Sequence, residues 1–338
     1  MATEVMRAVD IKNGTGPISA LFINPSTPKP SPSAGQALIR IHSFGLNRMD
    51  LMQREGKYNV PPQAGKTLGV EFSGLIEKLG NGCGDSFEVG DEVFGLAYGG
   101  AYAEYLVSST KMLIHKPKEI SWEEAAGIPE TWITATQALH LVGRFKANDV
   151  VLFHAGASSV SIAGIQLARA SGASAVFITA GSDAKIDFCV NSLGATKGFN
   201  YHTDDWVAGI LSETDGHGAD VIVDFIGRDY AQKNLEVAAI DGRIVQLASL
   251  SGRKLAEGVD IGLLESKRLR WEGSRLRSRD LDYQSKLRDL LVQFALPKFV
   301  DKTFKVPIER VFSWREIQDA HQLMEGNSSM GKIICNVD

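Results

Sequence analysis

From Asp149 onward the chain repeats one pattern: a short apolar run, a turn, a helix-length stretch, then another apolar run. The apolar runs are Asp149–His154, Ala175–Thr179, Gly198–Asn200, Asp220–Asp224, Arg243–Leu247 and Leu269–Glu272. Stretches of helical character lie between them at Ile162–Ala170, Ala184–Asn191, Trp206–Leu211 and Tyr230–Ala238. Strands joined through helices run in the same direction, so the pattern dictates a parallel sheet covered on both faces. Six such strands match a complete doubly wound, dinucleotide-binding unit.

The flanks read differently. Before this region short strands are expected at Gln36–His42, Leu68–Leu79, Glu92–Leu96, Ala101–Val107 and Met112–His115, with a helix at Arg48–Arg54 and a loop at Pro25–Ser33. Trp122–Ala126 and Thr131–Leu141 read as helices. After it come a helix at Tyr283–Phe294 and a strand at Asp301–Val306. A helix Trp314–Met324 follows, capped by Ser313 with Glu316, and a closing strand runs Lys332–Val337. The expected architecture is α/β: a doubly wound parallel sheet (Rossmann) at 131–280, inserted in a β-rich domain made of residues 1–130 and 281–338.

Composition narrows the function classes. A net charge of -4, with no long block of one sign, makes no electrostatic case for nucleic acid or an anionic membrane. No apolar stretch is long enough to cross a bilayer. The first residues carry an early acid, Glu4, and no basic-then-apolar leader. Three scattered cysteines, Cys83, Cys189 and Cys335, fit free thiols in a reducing compartment, the cytoplasm.

The first strand hands over to a helix through His154-Ala155-Gly156-Ala157-Ser158-Ser159-Val160-Ser161. A phosphate there would meet free backbone N–H groups and the positive end of the helix dipole. Loops of this kind carry glycine where Ser159 and Ser161 stand, so that backbone can approach the pyrophosphate. Taken alone, the loop equally fits a plain strand-to-helix turn with a serine cap. The second strand adds to the case. It ends Thr179-Ala180-Gly181-Ser182, with Lys185 beyond, and the nearest acid, Asp183, comes after the turn. NAD wants an acid there for the ribose 2′-hydroxyl, whereas a hydroxyl and a cation suit the 2′-phosphate of NADPH. A helix cap followed by a solvated lysine would explain the same residues.

Several further motifs stand in register: Gly45 to Tyr58, Leu68 to Gly74, Val89 to Val93, Ala125 to Ala135, Leu193 to Ala195, Asn200-Tyr201 and Gly331-Lys332-Ile333. Together they resemble the zinc-independent, zeta-crystallin-like quinone oxidoreductases of the medium-chain dehydrogenase/reductase superfamily. The likeness is greatest to the subgroup whose mammalian member is induced by a tumour suppressor. The resemblance implies that the β-rich domain is GroES-like and that the assembly is a homodimer, paired through the sixth strand. It puts Asn47 and Thr134 at the nicotinamide end of NADPH. Ser182, Lys185 and Tyr201 fall at the 2′-phosphate. Ser158, Ser159, Val160, Ser161, Gly181, Leu247, Ser274, Leu276, Arg277 and Lys332 line the rest of the cofactor. The zinc-using branch binds metal through Cys and His where this chain has Asn47 and Val70, so no metal site is expected.

The chemistry implied is hydride transfer from NADPH to a quinone or conjugated carbonyl. Asn47, Tyr58 and Ser158 are the candidate catalytic residues, each as a hydrogen-bond donor. A packed aromatic and a helix cap are the plain alternatives for Tyr58 and Ser158. Arg48 and Glu71 form a candidate scaffolding pair. An enone or enoyl reductase, or an NADPH-binding protein with little catalysis, remains open at this point.

Overall fold

The computed structural model describes residues 4–84 and 86–338, and it divides into two compact units. One runs up to Thr131 and resumes at Arg277; the other is Trp132–Leu276. Arg277 thus falls in the outer unit rather than with Ser274 and Leu276. Its guanidinium donates to Tyr98 O and to Gln53 Oε1, both at 2.8 Å, which fastens it there.

The outer unit begins with an antiparallel pair, β1 (Val5–Ile11) and β2 (Leu21–Pro28). The loop expected at Pro25–Ser33 therefore starts late. The register slips between Met6 and Ala8, so Pro25 lies in a bulge where the ladder asks for no N–H. Next come β3 (Gln36–Gly45), α1 (Arg48–Arg54), β4 (Glu71–Leu79), β5 (Glu92–Leu96), β6 (Tyr105–Ser109), β7 (Leu113–His115), α2 (Trp122–Ala126) and α3 (Pro129–Thr136).

The inner unit holds β8 (Val150–Phe153), α4 (Ser159–Ala170), β9 (Ala175–Ala180), α5 (Asp183–Asp187), β10 (Lys197–Asn200), α6 (Trp206–Glu213), β11 (Ala219–Asp224), α7 (Ala231–Val237), β12 (Ala238–Gln246), α8 (Gly262–Ser266) and β13 (Arg270–Gly273). The six strands lie in the order β10-β9-β8-β11-β12-β13, and each adjacent pair is parallel. That is the doubly wound order, with its switch point beside β8. Val151, Leu152 and Phe153 are fully buried, as a central strand covered on both faces requires. A Cβ at Gly164 would overlap the Phe153 ring, so the absent side chain is what lets α4 pack directly on β8. β13 is the sheet edge.

The outer unit closes with α9 (Leu281–Leu290), α10 (Leu296–Val300), β14 (Ile308–Ser313), α11 (Ile317–Glu325) and β15 (Lys332–Asn336). No strand forms at Asp301–Val306. Lys302 is left-handed at φ 63°, and Phe304 turns back so that its N–H donates to Lys298 O at 2.8 Å; the strand starts at Ile308 instead. The seven-stranded sheet runs β14-β15-β3-β4-β5-β7, with β6 also on β3. β15 is antiparallel to β3, with Ile334 opposite Gly45. That register carries Lys332 to the end of β3, where the chain reaches Asn47.

Candidate active site

The residues expected from sequence to bind a cofactor in the inner unit gather at the C-terminal ends of its strands. β8 leads into Ala155, held left-handed at φ 49°, and on through Gly156. A Cβ on Gly156 would come 2.7 Å from Ile178, so only glycine passes so close to β9. Ser158 caps α4, and Ser159 and Val160 form its half-buried first turn. Ser158 Oγ donates to Ser161 Oγ at 3.0 Å, and Ser161 Oγ donates to His154 O at 2.9 Å. Both hydroxyl protons are therefore turned inward. Neither side chain donates toward a phosphate, and the donors at this mouth are backbone N–H groups at the positive end of a twelve-residue helix.

At the end of β9 a Cβ on Gly181 would overlap the Tyr201 hydroxyl, so Tyr201 lies against bare backbone. Ser182 caps α5, its Oγ accepting from Lys185 N at 3.4 Å. Asp183, the nearest acid, accepts from Asn200 Nδ2 at 3.0 Å. Leu247 donates its N–H to Asp224 O at 2.8 Å just after β12. Ser274 follows β13, and Leu276 is 4% exposed.

Behind these residues runs a buried polar chain. Asn234 Nδ2 donates to the Asp224 carboxylate at 3.2 Å, so Asn234 Oδ1 faces His154 Nε2 at 2.7 Å. Nε2 must then carry the hydrogen. Nδ1 accepts from the Thr179 hydroxyl at 2.9 Å, and Thr179 in turn bonds the Tyr230 hydroxyl. Burial holds the His154 pKa below its ordinary value.

The outer unit holds a different kind of site, a buried cluster of charges. Asn47 stands at the N-cap of α1, but the reciprocal half of the cap falls to Asp50, which accepts from Asn47 N at 2.8 Å. Asp50 also accepts from Gly69 N at 3.3 Å and from the Tyr102 hydroxyl at 3.2 Å. Asn47 Nδ2 donates to Glu71 Oε1 at 2.8 Å. Lys332 Nζ donates to that same oxygen, to Asn47 Oδ1 at 3.1 Å and to Leu46 O at 3.0 Å. Glu71 Oε2 accepts from Glu130 N at 2.9 Å. Gly45 makes this possible, because a Cβ there would overlap the Glu71 carboxylate. The Arg48–Glu71 pair expected from sequence does not form: Arg48 donates to Asn327, and Glu71 is taken by Lys332.

Three acids and two cations share this interior. Burial is the main cause that pushes Asp50 up to about 6, with Arg277 opposing it. Burial, reinforced by Glu71, pushes Glu130 up to about 8. At neutral pH these values leave Asp50 largely ionised and Glu130 holding its proton. Tyr58 is half-buried, its ring centroid 5.4 Å from the Arg277 guanidinium. Thr134 is half-buried on α3. Glu130 and Asp50 drew no role from the sequence. Each stands among apolar neighbours, Asp50 beside Met49 and Leu51, and Glu130 after Ile128 and Pro129.

The residues fit a dinucleotide. In the inner unit Ser274 Oγ is a buried polar atom with no hydrogen-bond partner among the described residues, which suits a hydroxyl that meets a ligand. Zinc fits poorly. Among the described residues no group of three or more His, Cys, Asp or Glu is placed to hold a metal ion, and Val70 is fully buried.

Two family profiles match the chain: an alcohol dehydrogenase GroES-like domain over residues 33–118 and a zinc-binding dehydrogenase domain over 159–294. The quinone oxidoreductase of Pongo abelii is 30% identical over 252 residues, covering 74% of this chain and 75% of that protein. The structure of the quinone oxidoreductase from Coxiella burnetii is 30% identical, with a TM-score of 0.79 over 98% of this chain and 99% of that one. The CurK enoyl reductase is 25% identical, with a TM-score of 0.83 over 99% and 100%. No helix among the described residues is long and apolar enough to cross a membrane.

Proposed function

The chain belongs to the zeta-crystallin-like quinone oxidoreductase family of the medium-chain dehydrogenase/reductase superfamily, and from that premise we propose that it reduces quinones by zinc-free hydride transfer from NADPH. The end of β9 carries the cofactor choice. It carries a hydroxyl at Ser182 and a cation at Lys185, and the nearby acid, Asp183, accepts from Asn200. An adenosine 2′-phosphate is thereby favoured over a free 2′-hydroxyl.

When bound, NADPH supplies the hydride. The first turn of α4, at Ser158, Ser159, Val160 and Ser161, holds the pyrophosphate through backbone N–H groups. Gly181, Ser182, Lys185 and Tyr201 hold the adenosine end. Thr134, Leu247, Ser274 and Leu276 line the remainder. The candidate donors for the developing oxyanion are the second N–H of Asn47 and the Tyr58 hydroxyl. Ser158 is better suited to capping, since its proton goes to Ser161. A quinone asks for little acid catalysis, because charge on the reduced ring is delocalised. The exposed edge at β13 suits pairing in a homodimer.

An enone or enoyl reductase is the second reading, favoured by the full-length likeness to the CurK enoyl reductase. Purified protein should oxidise NADPH with 1,2- or 1,4-quinones and do so less readily with NADH. Turnover with conjugated enones alone would select the second reading, and tight NADPH binding with no turnover on either class would overturn both.

A further inference from the structure

We propose that Lys332 and Glu71 are positioning residues that fix which way the Asn47 carboxamide faces, leaving one of its N–H bonds as the donor to the reacting oxygen. The proposal rests on the reading of Asn47 as a donor in hydride transfer. It gives Lys332 a role other than enclosing the cofactor, and the reason is arithmetic. An ammonium has three N–H bonds, and here they go to Leu46 O, Asn47 Oδ1 and Glu71 Oε1. The side chain is 3% exposed and Glu71 is fully buried, so nothing remains on Lys332 for an outside partner.

The two charges decide the orientation of the amide by chemistry. A carboxylate only accepts, so the Asn47 atom facing Glu71 at 2.8 Å must be the nitrogen. An ammonium only donates, so the atom facing Lys332 at 3.1 Å must be the oxygen. A carboxamide between two neutral partners could sit either way round. Between an ammonium and a carboxylate it has one orientation, with one committed N–H and one in reserve. Glu71 cannot drift, because its other oxygen accepts from Glu130 N and the bare Gly45 backbone bounds it. Lys332 cannot drift, because Leu46 O anchors it and β15 is registered on β3. The device assembles residues 45–47, 71, 130 and 332, which no local motif connects.

The test uses the full chain labelled with ¹⁵N at asparagine, with the Asn47 side-chain signal assigned by its loss in Asn47→Ser. In wild type the two Asn47 amide protons should be well separated in shift, the one bonded to Glu71 exchanging slowly. Lys332→Met should collapse that separation, while Lys332→Arg should largely keep it. NADPH affinity, read by cofactor fluorescence, should change less than threefold in Lys332→Met, while kcat with a quinone falls at least tenfold and the arginine variant recovers most of it. An unchanged Asn47 signal in Lys332→Met overturns the proposal. So does an NADPH affinity that falls in step with kcat/KM, which would make Lys332 a cofactor contact. If Lys332→Met does not fold, Glu71→Gln asks the same question, since an amide in place of the carboxylate frees Asn47 to turn over. If wild type reduces no quinone or enone, the functional reading falls, and the amide signal still decides the positioning role.

Discussion

The two units build their polar sites by opposite means. In the inner unit the cofactor-binding features are made of backbone: a helix terminus at Ser159, a bare turn at Gly156 and another at Gly181. In the outer unit they are made of side chains, with Asn47, Asp50, Glu71, Glu130, Arg277 and Lys332 drawn from distant parts of the chain. A backbone site is written in one short stretch and depends little on side-chain identity, so on the proposed reading serines at 159 and 161 are compatible with it. A side-chain site depends on sheet register, and each charge in it depends on the others.

The sharpest test of the contrast is Lys185→Ala. Losing a charged hydrogen bond costs about 1.5–3 kcal/mol, so NADPH should bind roughly 10–100-fold more weakly with NADH unaffected. An unchanged NADPH preference in a cofactor titration breaks the assignment of β9. Glu130→Gln tests the other unit. Its folded pKa is raised from 4.5 to about 8, so between those values the folded chain keeps a proton that the unfolded chain has lost. Glu130 thus lowers stability progressively as pH rises toward 8. The melting temperature of Glu130→Gln should gain on wild type by a few degrees between pH 5.5 and 8.5. A constant difference would mean the carboxyl does not titrate in that window. The smallest effect is expected for Ser161→Gly. Its hydroxyl is turned onto His154 O, so NADPH affinity should shift less than about threefold, with up to about 1 kcal/mol of helix stability lost. A tenfold gain in affinity would show that Ser161 obstructs the pyrophosphate.

The same contrast explains what the sequence made legible. The alternation after Asp149 yields the inner sheet, because a buried parallel strand such as Val150–Phe153 is a continuous apolar run. The Ser313–Glu316 capping box also reads locally, although it opens a tight turn at Trp314–Glu316 before α11 begins. The strand starts only at Ile308 because the apolar side chain in Asp301–Val306 serves another purpose: Phe304 packs on Phe299, with ring centroids 5.9 Å apart. The pairing of Glu71 with Lys332 rather than Arg48 lay beyond local reading. It depends on β15 returning to β3 after more than two hundred residues of chain.

The buried run from Tyr230 through Thr179, His154 and Asn234 to Asp224 has one more consequence. Its donors all point toward Asp224, and a second proton on His154 would force the Thr179 hydroxyl to reverse. That imidazole is therefore held in its neutral form, as the lowering of its pKa by burial also favours. A proton that comes and goes near neutrality is found instead at buried carboxyls of the outer unit, Asp50 and Glu130.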